Sequence, residues 1–170
     1  MKRLIQKAGI AMFVIFLVIQ LFGIDTNPSA AESYDGKDIA EIYPIDNDVL
    51  QILQNSCYDC HSDQTQYPWY ASVQPVGWWL QHHVEEGKEE LNFNKFAGYR
   101  LRRQYHKFEE IIEQVNEGEM PLKSYTLIHR NAKLSDSQKN KLTGWANAML
   151  DSMRVHYPAD SLKKKINWLL

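Results

Sequence analysis

At 170 residues the chain suits one domain with appendages. Its 44% hydrophobic and 24% charged residues are ordinary for a globular protein and exclude a disordered or collagen-like class. A net charge of −2 excludes the broad basic face of a nucleic-acid binder, and two cysteines three positions apart exclude a framework of several disulfides.

The chain opens with a basic segment, Lys2, Arg3 and Lys7, followed by 17 uncharged residues from Ala8 to Ile24. That order matches an export signal or a short membrane anchor. Small residues follow at Ser29, Ala30 and Ala31 without an A-x-A site, so an uncleaved anchor in residues 1–24 is expected. The basic flank stays cytoplasmic, which puts the rest of the chain on the periplasmic side. Beyond residue 24 there are 16 basic and 21 acidic side chains, a net −5. A basic patch on a partner would steer to it.

Residues 25–45 read as a polar tether, with Asn27-Pro28 and Asp35-Gly36. The domain is expected over 46–157, as an all-α fold of about four helices, with a tail over 158–170. Asp46 or Asn47 caps a first helix that runs into the cysteine pair. Residues 62–74 read as loop. Pro75 suits the first turn of a second helix, whose inner face is expected to be Val76, Trp79, Leu80 and His83, with Gly87 loosening its end. A third helix is expected from about Asn94 to Glu117, with Tyr105, Phe108, Ile112 and Val115 on one face and Gly118 as its stop. An irregular stretch runs from Glu119 to Leu134. Ser135 and Gln138 form a capping box for the last helix, where Leu142, Trp145, Ala146, Met149 and Met153 share a side. Pro158 ends it.

The chemistry centres on Cys57-Tyr58-Asp59-Cys60-His61. Two cysteines three apart on a helical turn project to one side. Each sulfur can form a thioether with a haem vinyl group, and the next residue points an imidazole at the iron. The C-x-x-C-H pattern therefore predicts one covalently attached haem c with His61 as the proximal iron ligand. A thioredoxin-like pair expects a βαβ setting that is absent here. A zinc site needs four ligands, and adjacent Cys60 and His61 suit one tetrahedral ion poorly. A disulfide would close too short a loop to gain much.

The sixth ligand is expected to be Met120. It lies in the interhelical loop Gly118-Glu119-Met120-Pro121, whereas Met149 and Met153 are explained by core packing. His83 and His129 compete with it, since a neutral imidazole is a good ligand. An open iron site would change the role. Pro68 or Pro75 is expected to offer a backbone carbonyl to His61 Nδ1–H. Trp69 and Trp79, with Tyr70 and Trp78, are expected to pack around the porphyrin.

These residues together resemble the bacterial haem-binding domain family of small c-type cytochrome-like proteins. The matching segments are Cys57-Tyr58-Asp59-Cys60-His61-Ser62, Tyr67-Pro68-Trp69-Tyr70 and Pro75-Val76-Gly77-Trp78-Trp79-Leu80 with His83 and Gly87. Leu91-Asn92-Phe93, Met120-Pro121-Leu122, Tyr125, His129, Ala132, Leu134-Ser135 and Trp145-Ala146 complete them. Phe96 stands where the pattern has Trp, and Arg130 where it has Pro. The resemblance implies a helical, exported, monohaem domain with haem on Cys57 and Cys60 and His61 as proximal ligand. The function expected is single-electron transfer to a redox partner protein, with no catalysis of its own. Two rival readings place an open or weakly held iron site in the same domain, as a peroxidase-like or accessory domain or as a sensor of diatomic gases.

Overall fold

The computed structural model describes residues 1–24 and 38–163. All regular structure among them is helical, and no strand occurs. The four expected helices are the long ones of the domain: α3 (Asn47–Ser56), α5 (Val76–Glu90), α6 (Leu101–Glu117) and α8 (Asp136–His156). The short helices α2 (Ile39–Ile42), α4 (Tyr58–His61), α7 (Lys123–Ile128) and α9 (Ala159–Leu162) join or flank them. The first helix, α1 (Lys2–Ile19), stands on the N-terminal side and buries none of its residues.

The core lies between α3, α6 and α8. Leu53, Phe96, Phe108, Leu142 and Ala146 are fully buried in it. Each large side chain removed from water there contributes roughly 1.5–3 kcal/mol. The expected faces of α6 and α8 hold: Tyr105, Phe108 and Val115 on one, and Leu142, Trp145, Ala146, Met149 and Met153 on the other, are buried. Phe108 meets Trp145 edge to face at 5.5 Å, the geometry that aromatic quadrupoles favour. Gly118 ends α6 in the left-handed region at φ 73°, where a side chain would be strained.

Both appendages contribute to the domain more than their composition suggests. Ile39 is buried in the core, with Ile42, Tyr43 and Ile45 packed against it. Tyr43 sets its ring edge on Phe108 at 5.0 Å, and Trp145 Nε1 donates to the Pro44 carbonyl. Residues 38–45 thus belong to the packed unit. So does the start of the tail, through buried Leu162 on α9. Residues 25–37, which include the small residues 29–31, lie outside the described residues, as do 164–170.

The expected membrane-spanning anchor is corrected. Helix α1 stops at Ile19, and Gln20 and Phe22 turn onto the domain, where they bond Gln74 and Trp78. Its uncharged part, residues 8–19, rises about 18 Å at 1.5 Å per residue, against a hydrocarbon core of about 30 Å. No helix among the described residues is long and apolar enough to cross a membrane.

Ser135 caps α8 as expected. Its Oγ accepts from Gln138 N, while Gln138 Oε1 accepts from Ser135 N at 2.9 Å. Removing the cap by Ser135→Ala is expected to cost about 1 kcal/mol of unfolding free energy, read as a lower urea midpoint with unchanged slope.

Candidate functional site

Helix α3 carries buried Ile52 and Leu53 up to Ser56, and the backbone then breaks at Cys57 (φ −129°, ψ −39°). The break starts the single turn α4. Cys60 N and His61 N both donate to the Cys57 carbonyl, so the two thiols and the imidazole are carried by one hydrogen-bonded turn. Tyr58 pins that turn. Its ring stacks on Phe93 at 5.1 Å, and its hydroxyl donates to Asp38. Ser62 Oγ donates to the Tyr58 carbonyl at 2.7 Å.

The C-terminal half of α5 closes against the turn. A Cβ on Gly87 would stand 2.7 Å from the Cys60 carbonyl oxygen, so this crossing needs glycine. The approach brings two backbone carbonyls to the imidazole: His61 Nδ1 lies 2.8 Å from the Gly87 oxygen and 3.1 Å from that of Leu91. Both partners are acceptors, so Nδ1 carries the hydrogen and Nε2 keeps the lone pair. The expected carbonyl of Pro68 or Pro75 is replaced by these two, because α5 ends beside His61 while Pro75 starts it at the far end. Burial holds the His61 pKa below its ordinary value, partly offset by the carbonyls of Leu91 and Gly87. A neutral ring with a fixed lone pair is the form a metal binds.

A cleft of about 340 Å³ opens over this turn, within the usual range for small-molecule sites. Cys57 and His61 line one side, and Met120 and Pro121 reach it from the loop after α6. Leu53, Leu91, Phe93, Val115, Leu134 and Leu142 supply apolar walls. Cys57, His61 and Met120 are thereby brought to one space, which also suits the flat apolar body of a porphyrin. Cys60 is not brought to the cleft and lines a separate small cavity with Pro68.

The other expected residues lie elsewhere. Trp69 is 82% exposed and Trp79 48% exposed, and neither lines the cleft. The buried stripe of α5 is Gly77, Leu80 and Val84, which rotates Trp79 and His83 outward. His83 Nδ1 then takes the Trp79 carbonyl of its own helix. His129 forms part of a clasp. Its Nε2 is 2.7 Å from the Tyr70 hydroxyl, and its ring stacks on Tyr125 at 4.4 Å. Tyr125 in turn donates to Asp59 Oδ2 at 2.5 Å. Burial and the Asp59 carboxylate push the Tyr125 pKa well up, so the phenol stays a donor. The clasp ties α7, just after Met120, to the cysteine turn. Neither His83 nor His129 is brought to the cleft.

Both cysteines are free thiols. Burial, then the neighbouring Cys60, pushes Cys57 up to about 12. Burial, then Asp59, pushes Cys60 up to about 11. A disulfide-exchange pair needs the opposite, a lowered thiol pKa. Among the described residues no three His, Cys, Asp or Glu side chains cluster to hold a bare metal ion. These two findings argue against the thioredoxin-like and zinc alternatives. In the haem-free chain, alkylation of both thiols by iodoacetamide is therefore expected to keep rising about tenfold per pH unit through pH 9–10. An ordinary thiol levels off near 8.5.

The family model described as a haem-binding domain matches residues 14–148. The chain belongs to this haem-binding domain family. No curated protein and no solved structure matches it. The match spans the cysteine turn, Met120 and the whole of the cleft lining, so this haem-binding domain and the cleft occupy the same stretch of chain.

Sequence reasoning missed the polar side of the cleft: Glu90, His106, Lys107 and Glu110. Glu90 stands in an acidic run with Glu85, Glu86 and Glu89, which reads most simply as a solvated helix face, and no motif singles out Lys107. The available signal was its spacing, since Lys107 falls one residue from Phe108 on the buried side of the helix.

Proposed function

We propose that this haem-binding domain is an exported, single-haem c-type electron carrier, with Cys57 and Cys60 as attachment points and His61 and Met120 as the iron ligands. The observation that carries the reading is the convergence of Cys57, His61 and Met120 on one cleft with apolar walls and a charged side. Each thiol would add its S–H across a vinyl double bond, sulfur to one carbon and hydrogen to the next, a step that needs no oxidant. Bound haem supplies a one-electron ferric–ferrous couple.

The chain's own residues do the rest. Gly87 and Leu91 hold the His61 ring through Nδ1 and raise the basicity of Nε2. The walls of Leu53, Phe93, Val115 and Leu142 would keep water from a bound iron. A Met120 thioether, if it held the iron, would raise the potential relative to an open site. The net −5 charge beyond residue 24 favours a redox partner with a basic docking patch. The basic and apolar segment 1–24 is read as an export leader, which places the domain on the periplasmic side, where such haem is attached.

The test is expression in an export host with haem-attachment machinery, followed by extraction of non-covalent haem and visible spectroscopy. Retained haem with a low-spin spectrum and the weak long-wavelength iron–sulfur band is expected. Absence of retained haem, with a control cytochrome maturing normally, would sink covalent attachment. Retained haem with a high-spin spectrum would remove Met120 and favour the sensor or peroxidase-like roles.

A further inference from the structure

One side of the cleft is charged, and its central group is a buried cation. Lys107 lines the cleft and is only 6% exposed. Its Nζ meets Glu110 Oε2 at 2.5 Å and Glu90 Oε2 at 3.3 Å. Both glutamates also line the cleft. Glu110 is shared with His106 Nε2 at 3.1 Å. Burying an ammonium is costly unless it is paired, so a lysine here needs an anion.

The two anions it has are held unequally. The Glu90 side chain is 79% exposed, so water can solvate its carboxylate almost fully when it lets go of the lysine. Glu90 can therefore leave for water at little cost, while Glu110, at 34% exposed, keeps the closer contact. The arrangement is a buried cation with one firm carboxylate partner and one that a better carboxylate would displace. Haem brings two carboxylates on an otherwise apolar ring, and among the described residues Lys107 is the one lysine or arginine that lines this cleft, with His106 beside it and His61 given to the iron in the reading above.

We infer that Lys107 binds a haem propionate, which competes with the Glu90 carboxylate for its ammonium while Glu110 holds the lysine in place. The inference rests on the cleft being the haem site. A charge-assisted hydrogen bond from Lys107 would orient the ring within the cleft at the edge away from the thioethers. It would also offset part of the propionate's negative charge near the iron.

The test uses the matured haem protein and its Lys107→Met and Lys107→Arg variants. The readouts are the propionate bending band in resonance Raman spectra and the midpoint potential. Lys107→Met is expected to keep covalent haem, move the band to lower frequency and lower the potential. Lys107→Arg keeps the charge and a cation for Glu110, which guards against a folding failure. It is expected to move the band while leaving the potential close to that of the parent. An unmoved band in the variants that retain haem overturns the inference and leaves Lys107 as a partner of the glutamates alone, with the haem site intact. Failure of the unsubstituted chain to retain haem overturns the parent reading, and this one with it.

Discussion

Met120→Ala is expected to convert the matured protein from a low-spin to a high-spin spectrum and to lower its midpoint potential, with covalent haem retained. The reason lies in how the loop is held. Gly118 turns the chain in the left-handed region, and Glu119 N and Met120 N both donate to the Gln114 carbonyl. Downstream, the Tyr125 bond to Asp59 fixes α7. None of these contacts uses the Met120 side chain, so alanine leaves the loop in place and takes away only the sulfur. Cys57, Cys60 and His61 are untouched. Losing a partly exposed methionine costs less than the roughly 2–5 kcal/mol of a fully buried one, and the domain should stay folded. An unchanged spectrum would exclude Met120 and pass the sixth position to His106, the other imidazole lining the cleft.

Gly87→Ala should be the most damaging conservative substitution near the site. In a solvated helix the change would help by about 1 kcal/mol. Here the new methyl would lie 2.7 Å from the Cys60 carbonyl oxygen and 3.3 Å from its Cβ. Backbone cannot swing aside as a long side chain can. Helix α5 must therefore back away, at a cost of roughly 1–3 kcal/mol for overpacking. The same retreat draws the Gly87 and Leu91 carbonyls from His61 Nδ1. Two readouts should move together: a lower thermal midpoint and a smaller fraction of chains carrying covalent haem. Full haem yield with unchanged stability would show that the helix accommodates the methyl and that the contact is not critical.

Much of this was legible in the sequence because the signals were local. The Ser135–Gln138 box, the Gly118 stop and the faces of α6 and α8 each depend on residues within a few positions of one another. The cysteine turn is likewise a five-residue motif. What failed depended on distant partners. On α5 the bulk of Trp79 and His83 suggested the inner face, yet the stripe that packs is Gly77, Leu80, Val84 and Gly87. Its two glycines let the helix approach the backbone of Ala71 and of Cys60, and smallness is hard to recognise as burial without the opposing surface. The carbonyls that hold His61 come from 26 and 30 residues downstream, where nothing in the motif points. His129 looked like a ligand because its partner, Tyr70, is 59 residues away. At the N-terminus the basic flank and the uncharged run after it suggested an anchor, whereas the helix ends at Ile19 and Gln20 bonds Gln74.

The Asp59–Tyr125 and Tyr70–His129 bonds also bear on how the domain breathes. The first joins α7, next to the loop carrying Met120, to the turn carrying the cysteines, and the second joins α7 to the 69–72 segment, so the loop and the turn cannot swing out independently. The two segments form one cooperative opening unit, and their amide protons should exchange with solvent at a common rate set by a shared free energy. Tyr125→Phe would uncouple them, leaving the cysteine turn protected by α5 while the methionine loop exchanges faster. If Met120 holds the iron as proposed, that ligand would then come and go more often, and small external ligands would reach the iron without any change in the cleft itself.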